Sequence, residues 1–477
     1  MVFSSPLFLF FFFPVFFLLY YLLPSRARMP WLLAGSLFFY AWGEPVYVLL
    51  MSGEILMIWL CGLGIQSGLD RGRRKQAALF LALGVLLALG ALIYFKYANL
   101  FVTEFRRLAG IRKRWKSIAL PIGISFYTFQ SLSYLVDVWK GRVRARRNLI
   151  RLGAYISMFP QLIAGPIVRY EQIAGDLDLL AEGRKKPSLE EVCAGLGRMI
   201  LGLSKKVLIA NQIASWCDSL WLHKPQNLSA GTLWLMAAMY ALQIYYDFSG
   251  YSDMAIGMGR MLGFRFSENF SYPYISTSVR EFWRRWHISL SSWFRDYVYI
   301  PLGGNRKGSL RTLLNLLIVF ALCGFWHGAS WNFLLWGLYF GLFLCLERLP
   351  LGKALDRLPK PLRWILTGVV VLVGWVLFQD IGLDKSLAMI GIMFGAPSTP
   401  VFPTISLFTW KRALVLGCAL AGMFPLLPFL KSRAERLAGA PARVCRILSA
   451  VCLLILLALC AQQLISNTYN PFIYFRF

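Results

Sequence analysis

Histidine is scarce in this 477-residue sequence, which contains only three imidazoles. His327 has the most unusual setting, because it ends an apolar run within ALCGFWHGASWNFLLWG, residues 321–337. An ionisable residue inside an apolar segment is costly and marks a functional site by default. A desolvated imidazole stays neutral near pH 7, as a general base requires. The sequence therefore predicts a catalytic base at His327, with a histidine that only links two helices as the alternative.

His287 lies in a second unusual stretch, EFWRRWHISLSSWFRDY, residues 281–297. If this stretch is one helix, Arg284, His287 and Ser291 share a face at i, i+3 and i+7. Several donors would then converge with a titratable ring. An interfacial helix with an aromatic belt and headgroup-binding arginines explains the same residues, so both interpretations stay open. The third histidine, His223, lies in a polar connector and is expected to be ordinary surface.

Two carboxylates frame the segment YYDFSGYSDMAIG, residues 245–257, at Asp247 and Asp253. Carboxylates in apolar surroundings need partners, and the nearby arginines of 280–285 are the predicted candidates. Structural ion pairs that fix a broken helix are the expected role. Orientation of a catalytic imidazole is the alternative.

Other motifs add little chemistry. LGGNRKG, residues 302–308, is a glycine-rich basic loop whose backbone could approach a phosphate, but its spacing matches no P-loop or dinucleotide fingerprint. The chain has no GxSxG, Walker A or HExxH motif. None of the nine cysteines forms a CxxC pair, so we predict packing cysteines and no metal site. A modifiable thiol at Cys323 is a minor alternative.

The elements that must position these residues are membrane helices. Hydrophobic residues make up 58% of the chain and charged residues only 15%, against about 45–50% and 25% in soluble domains. The formal charge of +28 sits in short clusters between apolar runs, as the positive-inside rule predicts for cytoplasmic loops. We therefore expect contact with membrane lipids and exclude nucleic acid as a partner.

A membrane span needs about 20 apolar residues. The start of the chain lacks a basic segment and a cleavage site, so we predict a first helix rather than a signal peptide. All candidate spans belong to one predicted membrane domain over residues 1–477: they are 6–23, 30–50, 53–68, 77–100, 118–139, 149–168, 230–247, 312–326, 331–347, 363–379, 412–430 and 446–464.

Two regions do not fit simple spans. Residues 250–310 are rich in Trp, Tyr, Gly and Arg, and polar backbone at membrane depth survives only when buried or beside a wet cavity. We expect re-entrant or interfacial helices there, around a polar centre. Residues 188–222 carry charges at helical spacing and suit a helix lying in the interface.

The chain resembles the membrane-bound O-acyltransferase (MBOAT) family, most closely its bacterial branch with the alginate O-acetylation membrane protein. The matching stretches run in order along nearly the whole length. They are VFSSPLFLFFF at the start, YFKYANLF (94–101), LPIGISFYTFQSLSYLVDV (120–138), FPQLIAGPIVRY (159–170), YYDFSGYSDMAIGMGRMLGFRFSENF (245–270), EFWRRWHISLSSWFRDYVYIPLGGNR (281–306), GFWHGASWNFLLWG (324–337) and the ending YNPFIYFRF.

This resemblance implies an all-α polytopic bundle, with re-entrant or interfacial helices around a central tunnel and a catalytic core at about 118–347. It implies that His327 is the catalytic histidine and that His287 is its partner in the family's histidine pair. Acyl transfer to a hydroxyl needs a base, carbonyl polarisation and exclusion of water. We expect the remaining substrate- or donor-binding residues to be Arg284, Arg285, Trp286, Asp247, Ser291 and Trp326.

The resemblance also implies an acyl donor and a partner. The expected donor is acetyl-CoA, used as a substrate and not held as a bound cofactor, and Arg284, Arg285, Lys205 and Lys206 are candidates to attract its phosphates. The expected partner is an extracytoplasmic acetyltransferase of the SGNH, serine-esterase-like type. The expected location is the bacterial inner membrane, crossed several times, and the expected outcome is O-acetylation of an envelope polysaccharide such as alginate or peptidoglycan.

Two rival functions are compatible with the sequence. The first keeps the family but transfers D-alanine toward teichoic acid, and neighbouring genes for an alanine-activating ligase would reveal it. The second is a transporter or flippase with buried His and Asp as a proton relay. Such a protein would be expected to contain inverted repeats, and we find none in the sequence.

Overall fold

A computed structural model describes residues 1–111, 115–163, 165–401, 403–404, 409–436, 439–466, 469–470 and 472 of this chain. Within these ranges the ordered elements are helices, and no strand occurs. The predicted all-α class is confirmed. Most of the ending YNPFIYFRF, together with residues 112–114 of the basic connector 106–116, lies outside the described residues.

Contacts within the chain define two compact units. The first comprises Met1–Met199 and Ser252–Ser267, and the second Ile200–Tyr251 and Glu268–Phe477. The single domain over 1–477 and the core at about 118–347 stay predictions.

The first unit is built around aromatic rings from its first helices. Phe8 and Phe39 are fully buried, with ring centroids 5.8 Å apart, and Phe159 packs edge-on against Phe12 at 5.4 Å. Edge-to-face contacts of this kind add to the energy of burial. The helices of this region are Phe8–Phe12 with Phe13–Leu22, Arg28–Gly43, Tyr47–Asp70, Arg74–Leu108, Ile124–Trp139, Leu149–Ser157, Phe159–Leu162, Tyr170–Ala181 and Leu189–Ser204.

The second unit has a tryptophan-rich core. Trp286 lies 4.8 Å from Trp375, and Trp336 lies 5.6 Å from Trp283, all measured between ring centroids. The helices from residue 205 onward are Lys205–Ala210, Asn211–Trp221, Ala230–Met261, Val279–Arg285, Ile288–Phe294, Arg295–Tyr299, Ser309–His327, Trp331–Leu346, Pro350–Asp356, Lys360–Phe378, Leu383–Met393, Trp410–Gly422, Leu426–Ala434 and Gly439–Ser466.

Five of the described helices are long and apolar enough to cross a membrane, or seven spans if each of two bent pairs counts as one. The chain is therefore a multi-pass membrane protein. The bent pairs are Trp331–Leu346 with Pro350–Asp356, at 77°, and Trp410–Gly422 with Leu426–Ala434, at 65°. The five single helices are Tyr47–Asp70, Arg74–Leu108, Ser309–His327, Lys360–Phe378 and Gly439–Ser466.

Several predicted boundaries are wrong. The break between the second and third helices falls at 44–46 and not at 51–52. The predicted span 149–168 is interrupted at Met158, whose ψ of 111° lies outside the helical region, before Pro160. The span predicted at 230–247 continues to Met261. Within the region 250–310, residues 250–261 continue that long helix, and short helical segments follow at Pro273–Ile275, Val279–Arg285, Ile288–Phe294 and Arg295–Tyr299. Their expected re-entrant or interfacial placement stays a prediction. Residues 189–221 form consecutive helical segments.

Two glycines bring the backbones of Ser309–His327 and Trp331–Leu346 into contact. A Cβ atom on Gly324 would collide with the carbonyl oxygen of Phe333, and one on Gly337 would collide with that of Phe320. A methyl group at either position would have to force the main chains apart. This hairpin, which we call the glycine hairpin, ends its first helix at His327.

Asp247 and Asp253 pair with cations other than those predicted. The Lys206 ammonium lies 2.5 Å from the Asp247 carboxylate, and both side chains are almost fully buried. Arg198 contacts Asp253 at 2.8 Å. The expectation that arginines 280–285 would supply these partners is wrong, and the helix that carries both aspartates is continuous.

Candidate active site around two buried histidines

His287 interrupts a helix. Val279–Arg285 ends where Trp286 adopts an extended conformation, and His287 follows with φ 44° and ψ 54° before Ile288–Phe294 begins. Left-handed backbone is uncommon for a residue other than glycine. The prediction that Arg284, His287 and Ser291 share one helix face is therefore wrong, because the chain changes direction between the first and the last of them.

Asn269 holds the His287 ring in place. The Asn269 side-chain oxygen accepts hydrogen bonds from the Ser289 backbone N–H at 3.2 Å and the Ser289 hydroxyl at 2.9 Å. His287 Nδ1 lies 3.2 Å from the same oxygen. Because that oxygen accepts, Nδ1 carries the proton and donates, which leaves Nε2 with a lone pair. Nε2 is buried and has no hydrogen-bond partner among the described residues.

The His287 ring is 1% exposed and lies 4.6 Å from the Phe248 ring. Burial lowers the pKa of His287 from 6.5 to about 3, because desolvation disfavours the imidazolium. His287 is therefore neutral at physiological pH and can accept a hydrogen bond through Nε2.

This low pKa predicts acid sensitivity of the fold. Between about pH 6.5 and 3, the unfolded chain binds a proton at His287 that the folded protein does not, so the free energy of unfolding falls as pH falls. At pH 5.5 the expected loss is roughly 1.4 kcal/mol. Thermal unfolding in detergent at pH 7.5 and 5.5 measures it, with His287→Gln as the non-titrating comparison. An equal acid-induced loss in that variant would contradict the prediction.

His327 lies in an aromatic enclosure at the end of Ser309–His327 and is 5% exposed. The Trp326, Trp336 and Phe378 rings lie 5.0, 5.1 and 5.1 Å from the imidazole. The following Gly328 is required by space, because a Cβ there would collide with the Phe333 ring. The enclosure removes His327 from bulk water.

Trp326 connects the two histidines. Its ring lies 6.1 Å from that of His287 and 5.0 Å from that of His327. The Trp336 indole N–H is buried, has no hydrogen-bond partner among the described residues and belongs to a ring 5.1 Å from His327. The structure thus places two imidazoles and an unused N–H donor in one apolar region.

The other residues predicted for the site do not all lie beside the two histidines. Trp286 is buried against Trp375, and Ser291 lies near the Trp286 carbonyl at 3.5 Å. Arg285 pairs with Glu281 at 2.9 Å. Asp247 pairs with Lys206 and is nearly inaccessible.

Arg284 is exposed and forms no ion pair within the described ranges of the chain. It lines a solvent-open cavity of about 170 Å³ with Arg280 and Arg363, and this cavity also contains the carboxylates of Glu281, Glu347 and Asp356. Glu347 accepts hydrogen bonds from the first backbone N–H groups of Val279–Arg285 and so holds the cavity wall.

Sequence reasoning missed three residues that build the site: Asn269, Trp336 and Phe378. Asn269 is 18 positions from His287, so no local pattern links them. Trp336 and Phe378 sit in helices whose apolar runs predict packing alone. Among the described residues, no group of three or more His, Cys, Asp or Glu side chains could hold a metal ion.

Asn269→Ala should lower kcat by as much as about 10²-fold, because His287 loses the acceptor that fixes its ring and tautomer. The variant should also lose about 1–3 kcal/mol of stability, since buried donors are left unsatisfied. Asn269→Asp keeps an accepting oxygen and should retain more activity. Steady-state kinetics of both variants test this, and unchanged kcat in Asn269→Ala would contradict a positioning role.

Comparisons with known proteins place this geometry in context. The model of the membrane-bound O-acyltransferase family matches residues 93–352, which include both buried histidines. The chain is 40% identical to the probable alginate O-acetylase AlgI of Pseudomonas putida over the full length of both proteins. It is 35% identical to the peptidoglycan O-acetyltransferase of Helicobacter pylori over 83% of this chain and 80% of that protein. Identity to the teichoic acid D-alanyltransferase of Bacillus subtilis is 29%, over 47% of this chain and 58% of that protein.

Proposed function

The chain belongs to the membrane-bound O-acyltransferase family, and on this premise we propose that it transfers an acetyl group from acetyl-CoA toward a hydroxyl of a cell-envelope polysaccharide such as alginate or peptidoglycan. The observation that carries the proposal is the pair of buried imidazoles, His287 and His327, on either side of Trp326. Such a site offers proton transfer without bulk water.

In the proposed mechanism His327 is the general base. It removes the proton of the incoming hydroxyl as that oxygen attacks the thioester carbonyl. The new C–O bond forms, the C–S bond breaks, and the proton passes from His327 to the departing thiolate. The Trp326, Trp336 and Phe378 rings keep water from competing with the hydroxyl.

His287 is the positioning residue in this mechanism. Its Nε2 lone pair accepts a hydrogen bond and so can orient the hydroxyl of the acceptor, while its Nδ1–H is taken by Asn269. In that tautomer His287 cannot donate through Nε2 to an oxyanion. The unused indole N–H of Trp336 is the better donor for the developing negative charge.

Arg284 is the proposed anchor for the phosphates of the donor. It is exposed beside Arg280 and Arg363 in the cavity described above, and guanidinium groups suit bidentate phosphate recognition. Lys206 does not join this set, because its ammonium is buried against Asp247. Trp286 and Ser291, which follow on the same short segment, contribute to substrate binding in this proposal.

We further propose that the enzyme lies in the bacterial inner membrane and delivers the acetyl group to an extracytoplasmic partner of the SGNH, serine-esterase-like type. The predicted donor enters from the cytoplasm and the polymer lies outside, so a relay on the outer side completes the transfer. D-alanyl transfer toward teichoic acid is the second candidate. Matches of about 40% and 35% over most of the chain favour acetyl transfer over the 29% match to half of it.

The proposal is tested with purified protein in nanodiscs and acetyl-CoA labelled in the acetyl group. We expect thioester consumption that depends on an added polysaccharide or on the partner protein. Turnover with a D-alanyl carrier thioester but none with acetyl-CoA would favour the second candidate. Absence of turnover with either donor in the presence of both acceptors would contradict the acyl-transfer assignment.

A further inference from the structure

A buried carboxyl group in the first unit has no role in acyl transfer as described above. Glu54 lies in the helix Tyr47–Asp70, a candidate membrane span, and is only 6% exposed. Neither of its carboxyl oxygens has a hydrogen-bond partner among the described residues. Buried polar groups are normally paired, so this exception needs a physical explanation.

Other unsatisfied polar groups surround Glu54. Tyr40 and Tyr127 lie within electrostatic reach of its carboxyl, and their rings meet edge-to-face at 6.5 Å. The Ser131 hydroxyl lies beside the carboxyl without reaching hydrogen-bond geometry. Gln130 lies on the same helix between Tyr127 and Ser131, and both its amide nitrogen and its amide oxygen are buried without a hydrogen-bond partner among the described residues. We call Tyr40, Glu54, Tyr127, Gln130 and Ser131 the Glu54 cluster.

Three helices supply this cluster. Tyr127, Gln130 and Ser131 share a face of Ile124–Trp139 at i, i+3 and i+4. Tyr40 comes from Arg28–Gly43 and Glu54 from Tyr47–Asp70. Each member of the Glu54 cluster has at least one buried side-chain nitrogen or oxygen that lacks a hydrogen-bond partner in the described chain. Because these unsatisfied atoms come from neighbouring residues, we infer that ordered water bonds to several of them at once.

No cation neutralises Glu54 from the described residues of the helices packed against it. Lys96 of Arg74–Leu108 donates to Ser125 at 3.2 Å, and Arg151 of Leu149–Ser157 pairs with Asp178 at 3.1 Å. Asp137, on the same helix as Ser131, pairs with Arg142. An ionised carboxylate in apolar surroundings without a partner is so costly that such a group neutralises instead.

A second, half-buried carboxyl group lies near Tyr40 of the cluster. Glu44 stands where Arg28–Gly43 ends, just before Tyr47–Asp70, and its carboxyl accepts from the Ile122 N–H at 3.4 Å. Glu44 is half-buried, within electrostatic reach of Tyr40, and burial raises its pKa. Glu54 lies seven residues, or about 10 Å, inside the helix that begins at Tyr47.

We propose that the Glu54 cluster is a water-filled proton-binding site. Glu54 holds a proton, ordered water bonds to the tyrosine, serine and glutamine groups, and the proton exchanges with the aqueous surface past Tyr127, Tyr40 and Glu44. The exchange is a simple transfer between a carboxyl group and water, so it needs no further reactant. Water fits the mixed donors and acceptors of the cluster, and a buried water typically makes about three such bonds.

Infrared difference spectroscopy of the protein in nanodiscs tests the protonation. At pH 7 we expect a protonated-carboxyl C=O band that shifts in D2O, disappears in Glu54→Gln and persists in the matched control Glu104→Gln. Glu104 is a surface carboxylate paired with Arg107. A band unchanged in Glu54→Gln would overturn the proposal. An ionised-carboxylate band that is lost in Glu54→Gln and changes with Na⁺ concentration would also overturn it, because Glu54 would then bind a cation and not a proton.

Hydroxyl-radical labelling of the wild-type protein tests the water directly and needs no variant. Radiolysis generates radicals from water beside buried side chains, so Tyr40 and Tyr127 should be oxidised several-fold faster than Tyr20. Tyr20 is equally buried in the same unit, but its hydroxyl donates to the Leu262 carbonyl at 2.9 Å. Labelling of Tyr127 no faster than that of Tyr20 would show a dry cluster and overturn the proposal.

Discussion

Replacing His327 with alanine should lower the rate of acyl transfer by about 10²–10⁴-fold, the usual contribution of a general base. The loss should appear in kcat, because in the proposed mechanism the imidazole accepts the proton in the transition state and does not bind the donor. The measurement is single-turnover consumption of labelled acetyl-CoA by the purified variant. Trp326, Trp336 and Phe378 remain to hold the enclosure, so the variant should stay monodisperse in detergent.

His223→Ala is the matched control for that experiment. It removes the third imidazole of the chain from a partly exposed position in a connector, outside the aromatic enclosure. Its kcat and unfolding temperature should equal those of the wild type. Full activity in His327→Ala, with the protein still folded, would remove His327 from the catalytic role and make His287 the leading candidate for the base.

Removing Asp247 should have the largest effect on stability. Asp247→Ala removes the carboxylate that lies 2.5 Å from the buried Lys206 ammonium, and breaking a buried ion pair costs about 3–5 kcal/mol. We expect a large fall in the unfolding temperature in detergent. The Asp253→Ala control breaks a more exposed pair with Arg198 and should cost about 1 kcal/mol or less.

The double variant Lys206→Met/Asp247→Leu separates charge from packing. Replacing both partners with apolar groups also removes the buried ammonium, so much of the stability lost in Asp247→Ala should return. Failure of the double variant to recover, with activity also lost, would instead indicate that the pair contacts substrate. Equal stability of Asp247→Ala and the wild type would contradict the assignment of a stabilising pair.

The sequence predicts a multi-pass membrane protein because its composition and the lengths of its apolar runs can be read without tertiary information. The apolar runs that become Tyr47–Asp70 and Arg74–Leu108 are visible without any tertiary information. The family resemblance is confirmed in the same way, by stretches distributed along the chain. The burial of His327 follows equally from its position in an apolar run.

The break at His287 is a different case. Periodicity in 281–297 favours one helix, and the local pattern does not predict the left-handed backbone conformation of His287 within it. The backbone turns there because Asn269 binds both the ring and Ser289, and the Asn269 carbonyl accepts from the Ile288 N–H at 2.9 Å. These contacts join segments 18 to 20 positions apart, beyond the reach of a periodicity argument.

The sequence also does not predict which cation pairs with Asp247. Lys206 lies 41 positions earlier and in sequence belongs to a charged helix expected at the interface. The helices cross closely at this point, since a Cβ on Gly250 would lie 2.7 Å from the Gly202 carbonyl oxygen and 3.1 Å from the Lys206 backbone nitrogen. A glycine in an apolar run indicates that another helix can pack closely there, but it does not indicate which helix.

The backbone contact in the glycine hairpin fixes how its two helices lie against each other. Trp326 belongs to the first of these helices and Trp336 to the second. At Gly324 and at Gly337 main chain meets main chain, so a change of side-chain rotamer at these two points cannot let the helices spread. The backbone itself therefore sets the spacing of the two helices that carry these indoles, so a methyl group at either glycine would be felt at both rings without touching them.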